Sequence, residues 1–96
     1  METSQSRPAG DITHDDGRFV TALDGVQAHL DYRREDGRMV ITHTVVPDEI
    51  GSRGIAGQLT RAAFEHARSQ GWKVRPACSY AAAWAERHPE FGDVLG

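Results

Sequence analysis

Residues 38–59 read R-M-V-I-T-H-T-V-V-P-D-E-I-G-S-R-G-I-A-G-Q-L, and the order of patterns along this stretch decides the fold. Met39 to Val46 is rich in β-branched residues and long enough for a central strand, which Pro47 stops. Glycines crowd at 51, 54 and 57, and a helical pattern sets in directly after them. At about 100° per residue, Ala56, Leu59, Thr60, Ala63, Phe64 and Ala67 share one side of a helix, while Gln58, Arg61, Glu65, Arg68 and Ser69 share the other. Gly71 suits the left-handed conformation that follows a helix C-terminus. The reading is strand, glycine-rich loop, amphipathic helix.

On the N-terminal side, F-V-T-A-L from Phe19 and V-Q-A-H-L-D-Y-R from Val26 flank Asp24-Gly25, and Val26, Ala28, Leu30 and Tyr32 alternate with polar residues. Two alternating runs around Asp-Gly predict a hairpin. A second turn, Glu35-Asp36-Gly37-Arg38, leads into the strand already described, so three antiparallel strands form a meander. Residues 1–17 are polar, with Pro8, Gly10 and Asp15-Asp16-Gly17, and have no period that buries a face; they are expected to be a disordered tail ahead of a domain over 18–96. On the C-terminal side, W-K-V-R-P from Trp72 is a short strand, Cys78-Ser79-Tyr80 a turn, and A-A-A-W-A-E-R from Ala81 a short helix closed by His88-Pro89. The order βββ, α, β, α implies an α+β fold, with the helices packed on one sheet.

A chain of 96 residues, 39% of them apolar, supports one small domain. With a net charge of −3, and its ten arginines and one lysine spread along the chain, a phosphate backbone or an anionic membrane is a poor partner. No apolar run reaches the ~20 residues of a membrane span, and M-E-T-S-Q-S-R-P-A-G-D lacks the apolar middle of a signal peptide. A soluble cytoplasmic protein, monomeric or weakly dimeric, is the expectation. The lone Cys78 excludes an internal disulfide, and the five histidines show no ligand spacing, so no metal is expected.

A helix N-terminus attracts phosphate because its first N–H groups lack partners and carry partial positive charge; glycines before it let the anion approach the backbone. A nucleotide P-loop requires G-x-x-x-x-G-K-[ST], but Gly51 is followed at that distance by Ala56, with no Lys-Ser/Thr after it. A dinucleotide fingerprint requires G-x-G-x-x-G in a parallel βαβ unit, whereas this loop reads G-x-x-G-x-A and follows an antiparallel meander.

The loop resembles the Q/R-x-x-G-x-G/A pyrophosphate loop of the GNAT acetyltransferases: Gly54 and Ala56 match its last two fixed positions, Gly51 stands where Gln or Arg is usual, and Arg53 is the nearby cation. With H-T-V-V-P before the loop, V-R-P-A-C-S-Y after it and R-H-P-E near the end, the chain from about Arg18 onward resembles the compact YjdJ-type GNAT-like family. The resemblance implies a small domain that binds acetyl-CoA as acyl donor. It also implies that amides of Thr44, Val45 and Val46, on a splayed strand, hold the pantetheine arm, and that Arg53, Gly54, Ile55 and Ala56 cradle the pyrophosphate.

In the same resemblance Cys78 lies beside the thioester. Its place at a strand-to-helix handover favours a thiolate, although a free cysteine is commonly a small buried hydrophobe. Tyr80 is a candidate proton donor to the departing thiolate, or a tyrosine packed over the helix. His43 alternates in phase with Ile41 and Val45, so it is expected on their face, either as base for an acceptor amine or as a hydrogen-bonded structural residue. Trp84, one turn after Tyr80, either shields the cofactor arm or fills the core. Cap and surface-pair roles suit His88 and Glu90, while His14, His29 and His66 stand in no visible constellation. Two functions fit: an acetyl-CoA-dependent N-acyltransferase acting on an unidentified amine by direct attack, or an acyl-CoA-binding module without turnover.

Overall fold

The structure, a computed structural model, describes residues 11–51 and 54–96. Its sheet has the strands in chain order: β1 (Thr13–Asp15), β2 (Arg18–Leu23), β3 (Val26–Glu35), β4 (Arg38–Val45) and β5 (Lys73–Pro76). Helix α1 (Ile55–Gln70) joins β4 to β5, α2 (Ser79–Arg87) follows β5, and 3-10 turns span Asp48–Ile50 and Pro89–Val94. The expected α+β arrangement is present: a meander, a helix, a short strand and a C-terminal helix on one sheet.

Asp-Gly pairs make the hairpins. Both residues have positive φ at Asp24-Gly25 (54° and 79°) and Asp36-Gly37 (49° and 79°), the backbone of turns whose twist matches that of the flanking strands. A third pair, Asp16-Gly17, connects β1 to β2, with Gly17 at φ 87°. The tail expected over residues 1–17 is thus corrected for its last part. Thr13–Asp15 pairs with Arg18–Val20, Ile12 packs against the core, and residues 1–10 lie outside the described residues. Thr-His-Asp carries no apolar alternation, so the strand is held by its hairpin and by what His14 touches.

Helix α1 buries Ile55, Leu59, Thr60, Ala63, Phe64 and Ala67, the face read from the sequence with Ile55 in place of Ala56. The Thr60 hydroxyl satisfies itself on the Ala56 carbonyl at 2.8 Å. At the other end Gly71, φ 75°, donates to Arg68 O at 3.2 Å and Trp72 N–H donates to Ala67 O at 2.9 Å, which closes the last turn. Ala81, Trp84 and Ala85 of α2, together with Phe91 and Val94, join the same cluster, with Phe64 and Trp84 ring centroids 5.0 Å apart. Both helices therefore lie on one face of the sheet, and no described element covers the other.

β5 runs parallel to β4, so β4–α1–β5 is a parallel βαβ unit. The antiparallel surroundings consequently do not exclude a dinucleotide loop; the glycine spacing alone does. Two irregularities in β4 shape the site. First, Tyr32 pairs with Ile41 but Asp31 pairs with His43, so Thr42 is an extra residue in β4 and the alternation resets there. Second, pairing with β5 ends at Ile41–Pro76, and the Ile41 carbonyl takes the N–H groups of both Ala77 and Cys78 at 3.0 Å. From Thr42 onward β4 has no strand beside it on that edge among the described residues.

Candidate active site

Three segments meet where β4 outruns β5: the end of β4, the first turn of α1 and the first turn of α2. Thr44 lies opposite the core residue Leu30, hence on the helix-covered face, and its hydroxyl is 3.5 Å from the Cys78 thiol. Cys78 caps α2, its Sγ accepting the Ala81 N–H at 3.4 Å, and it is half-buried against the core. A main-chain pair on Ile41 O and a side-chain pair on Ala81 and Thr44 hold this residue from both sides.

At α1, Gly54 takes φ 74° and ψ 15°, a left-handed conformation suited to glycine, and its carbonyl receives the first intrahelical bond from Gln58 N–H at 3.1 Å. The amides of Ile55, Ala56 and Gly57 precede that bond, so none of them is used by the helix's own ladder. Gly57 brings α2 close: a β-carbon there would stand 3.5 Å from the Tyr80 hydroxyl and 3.6 Å from Trp84 Nε1. Both distances are ordinary van der Waals contact, and they place the Tyr80 hydroxyl beside the first turn of α1. The sequence reading counted Gly57 in the cluster without giving it a part; a glycine on the inner side of an amphipathic helix was the available signal.

The other expected site residues divide. Val46 packs against the core, Val45 is exposed, and Trp84 is a core residue, 3% exposed and stacked on His88 at 3.8 Å. Arg53 lies outside the described residues. His88 caps α2 and bonds through Nδ1 to Trp84 O at 2.8 Å, while Glu90 faces Arg61 at 3.6 Å. His43 shares a face with Val45 but not with Ile41, a correction caused by the bulge at Thr42. It lies opposite Asp31 on the uncovered face, exposed, its Nδ1 3.2 Å from Thr42 Oγ1.

Asp31 organises that corner. Arg18 grips it through two bonds, Nε to Oδ1 at 2.6 Å and Nη2 to Oδ2 at 3.2 Å, and His29 stands 3.6 Å away. The Arg18 hydrogen bond, chiefly, with the charges of His29, Arg18 and His43, holds the carboxyl below its ordinary range. His14 and His66 do have a constellation. The His14 ring stacks on Phe19 at 4.1 Å, bonds to the Tyr32 hydroxyl and meets the edge of His66 at 4.4 Å. Burial, then the charges of His14 and Arg34, pushes His66 below its usual value. Among the described residues no cluster of three or more His, Cys, Asp or Glu is placed to hold a metal ion, and no helix is long and apolar enough to cross a membrane. A groove of about 340 Å³ between Ile12 and Gln58, Arg61, Ala62 and Glu65 contains none of the residues expected at the site.

A strand freed from its neighbour beside a glycine-led helix N-terminus agrees with the similarity to known proteins. The family model of the GCN5-related N-acetyl-transferases matches residues 18–94. The chain belongs to this family. The NMR solution structure of a GCN5-like candidate N-acetyltransferase from Staphylococcus aureus superposes on this GNAT chain with a TM-score of 0.74 at 30% identity, covering 90% of this chain and 87% of that one. By family this is an N-acetyltransferase, and the fold is the small GNAT domain that the resemblance implied.

Proposed function

We propose that this GNAT domain transfers an acetyl group from acetyl-CoA to an amine in the gap beyond the Ile41–Pro76 pair. The observation that carries the reading is the meeting of three things there: a β4 edge without a neighbouring strand among the described residues, the unladdered amides of Ile55, Ala56 and Gly57, and the Tyr80 hydroxyl beside Gly57. The α1 amides, behind the left-handed turn at Gly54, bind the pyrophosphate of the donor. Backbone N–H groups of the Thr44–Val46 edge align the pantetheine arm and stabilise negative charge on the thioester oxygen as the amine adds.

The chemistry is a direct displacement. The acceptor nitrogen forms a bond to the acetyl carbon, the carbon–sulfur bond breaks, and the departing thiolate takes the Tyr80 proton. The nitrogen's surplus proton goes to His43, on the uncovered face. Cys78, held by Thr44 and Ala81, lines the acetyl end, and no acyl-enzyme is required.

Release of CoA from acetyl-CoA in the presence of a polyamine or a lysine peptide tests the reading against a binding module, which would retain the donor and release nothing. Cys78 supplies a second readout: alkylation of its thiol is expected to slow when CoA is added. Cys78→Ala should hold CoA within about 1 kcal/mol of wild type, because a small replacement loses few contacts. Transfer at the wild-type rate by that variant makes Cys78 a wall of the pocket; an alkylation rate indifferent to CoA places the acetyl end elsewhere.

A further inference from the structure

The uncovered face of the sheet is not electrostatically even. Toward the β5 edge it gathers Arg33, Arg38, Lys73 and Arg75: Arg38 is the Cα partner of Lys73, and Val40 stands between Arg33 and Arg75. Like charges directly opposite one another weaken a sheet, and the chain as a whole carries −3, so a basic composition does not account for the strip. Glu35, the carboxylate at this end of the face, is engaged by Arg33 at 3.0 Å, and the Lys73 ammonium donates to Asp93 O at 2.7 Å. Arg38 and Arg75 have no ion pair or hydrogen bond among the described residues. Val40 is only 1% exposed although no described helix lies over it, which suits arginine stems laid across it with their guanidinium groups in water.

The strip leads to the proposed acetyl-transfer gap. Val40 and Arg38 precede His43 on β4 by roughly 10 to 16 Å of strand. The first turns of α1 and α2 stand on the covered face of the gap, where the donor is proposed to lie, so the acceptor is assigned the uncovered face, past His43 and Val45. We propose that the acceptor is an acidic peptide that lies along β4 on this face, its carboxylates on Arg38 and Arg75 and its amine at His43. This rests on the transferase reading and names the substrate class for it. The span from His43 to the cations exceeds what a single amino acid bridges. The face also presents no Phe, Tyr or Trp among its described residues on which nucleic-acid bases would stack, which favours a peptide over single-stranded nucleic acid.

The test uses fluorescein-labelled peptides of equal length with one lysine flanked on one side by glutamates or by glutamines, read by anisotropy at low ionic strength. The glutamate peptide is expected to bind about tenfold more tightly, the effect of two exposed ion pairs. That preference should vanish in the Arg38→Ser/Arg75→Ser double variant, whose circular dichroism and calorimetric CoA affinity should match wild type. Equal binding of the two peptides overturns the proposal, as does a preference that survives in the double variant or tighter binding of an oligothymidylate of the same charge. CoA binding is scored separately: intact CoA binding with no peptide preference removes the acceptor class alone. A peptide preference without any CoA binding contradicts the transferase reading and the acceptor role with it.

Discussion

Two glycines in α1's first turn carry different physics. At Gly54 a β-carbon would meet nothing within 4 Å, so its constraint is conformational: φ 74° is a region that L side chains rarely adopt. Gly54→Val is expected to lower stability by about 1–2 kcal/mol and to weaken CoA binding further than that loss of fold explains; unchanged affinity by calorimetry would remove the loop from the site. Gly57 has helical geometry, and its β-carbon would make ordinary contacts with Tyr80 and Trp84. Gly57→Ala should therefore raise the denaturant midpoint, by about 0.5–1 kcal/mol of helix propensity, and a loss of more than that would show that Tyr80 and Trp84 sit closer than described. Residue types were legible where local chemistry demands them, as at Asp24-Gly25, Asp36-Gly37 and Gly71. The face of His43 was not, because a single inserted residue at Thr42 leaves no mark in one sequence and reverses every side chain after it.

At the scale of elements, α1 was readable because its period is long and its buried face unbroken, whereas β1 is three exposed residues whose support comes from distant rings. His14 ties β1 to Phe19, Tyr32 and His66, and Ile12 packs beside it. Deleting residues 1–15 is accordingly expected to lower Tm by several degrees, since about 1 kcal/mol moves a domain of this size by roughly 4–8 °C; an unchanged Tm would mean the strand adds nothing. The same contact makes stability depend on pH. His66 has a pKa lowered in the fold, so below the unfolded value near ~6.5 the unfolded chain binds more protons than the native one. Its contribution is complete above that value and is lost as pH falls toward the lowered folded value, because a charged His66 is desolvated by burial and faces the charge of Arg34. Thermal melts should be level between pH 7 and 8 and decline below about 6.5, a decline that His66→Gln flattens. An identical slope in the variant would assign it to other groups.

Over the whole molecule, the described helices lie on one side of a meander sheet, and the gap at the end of β4 opens between the face they cover and an uncovered one. The sequence carried the family through short motifs around the loop, but not the gathering of Arg33, Arg38, Lys73 and Arg75, which only strand register brings together. The central claim is that acetyl-CoA occupies the gap. An amide-resolved NMR titration with acetyl-CoA tests it most directly. The predicted result is a set of shifted resonances from Thr44–Val46, Gly54–Gln58 and Cys78–Tyr80, with Arg33, Arg38 and Arg75 unmoved. Shifts confined to Ile12, Arg61, Ala62 and Glu65, around the groove on α1, or no shifts at all, would contradict it.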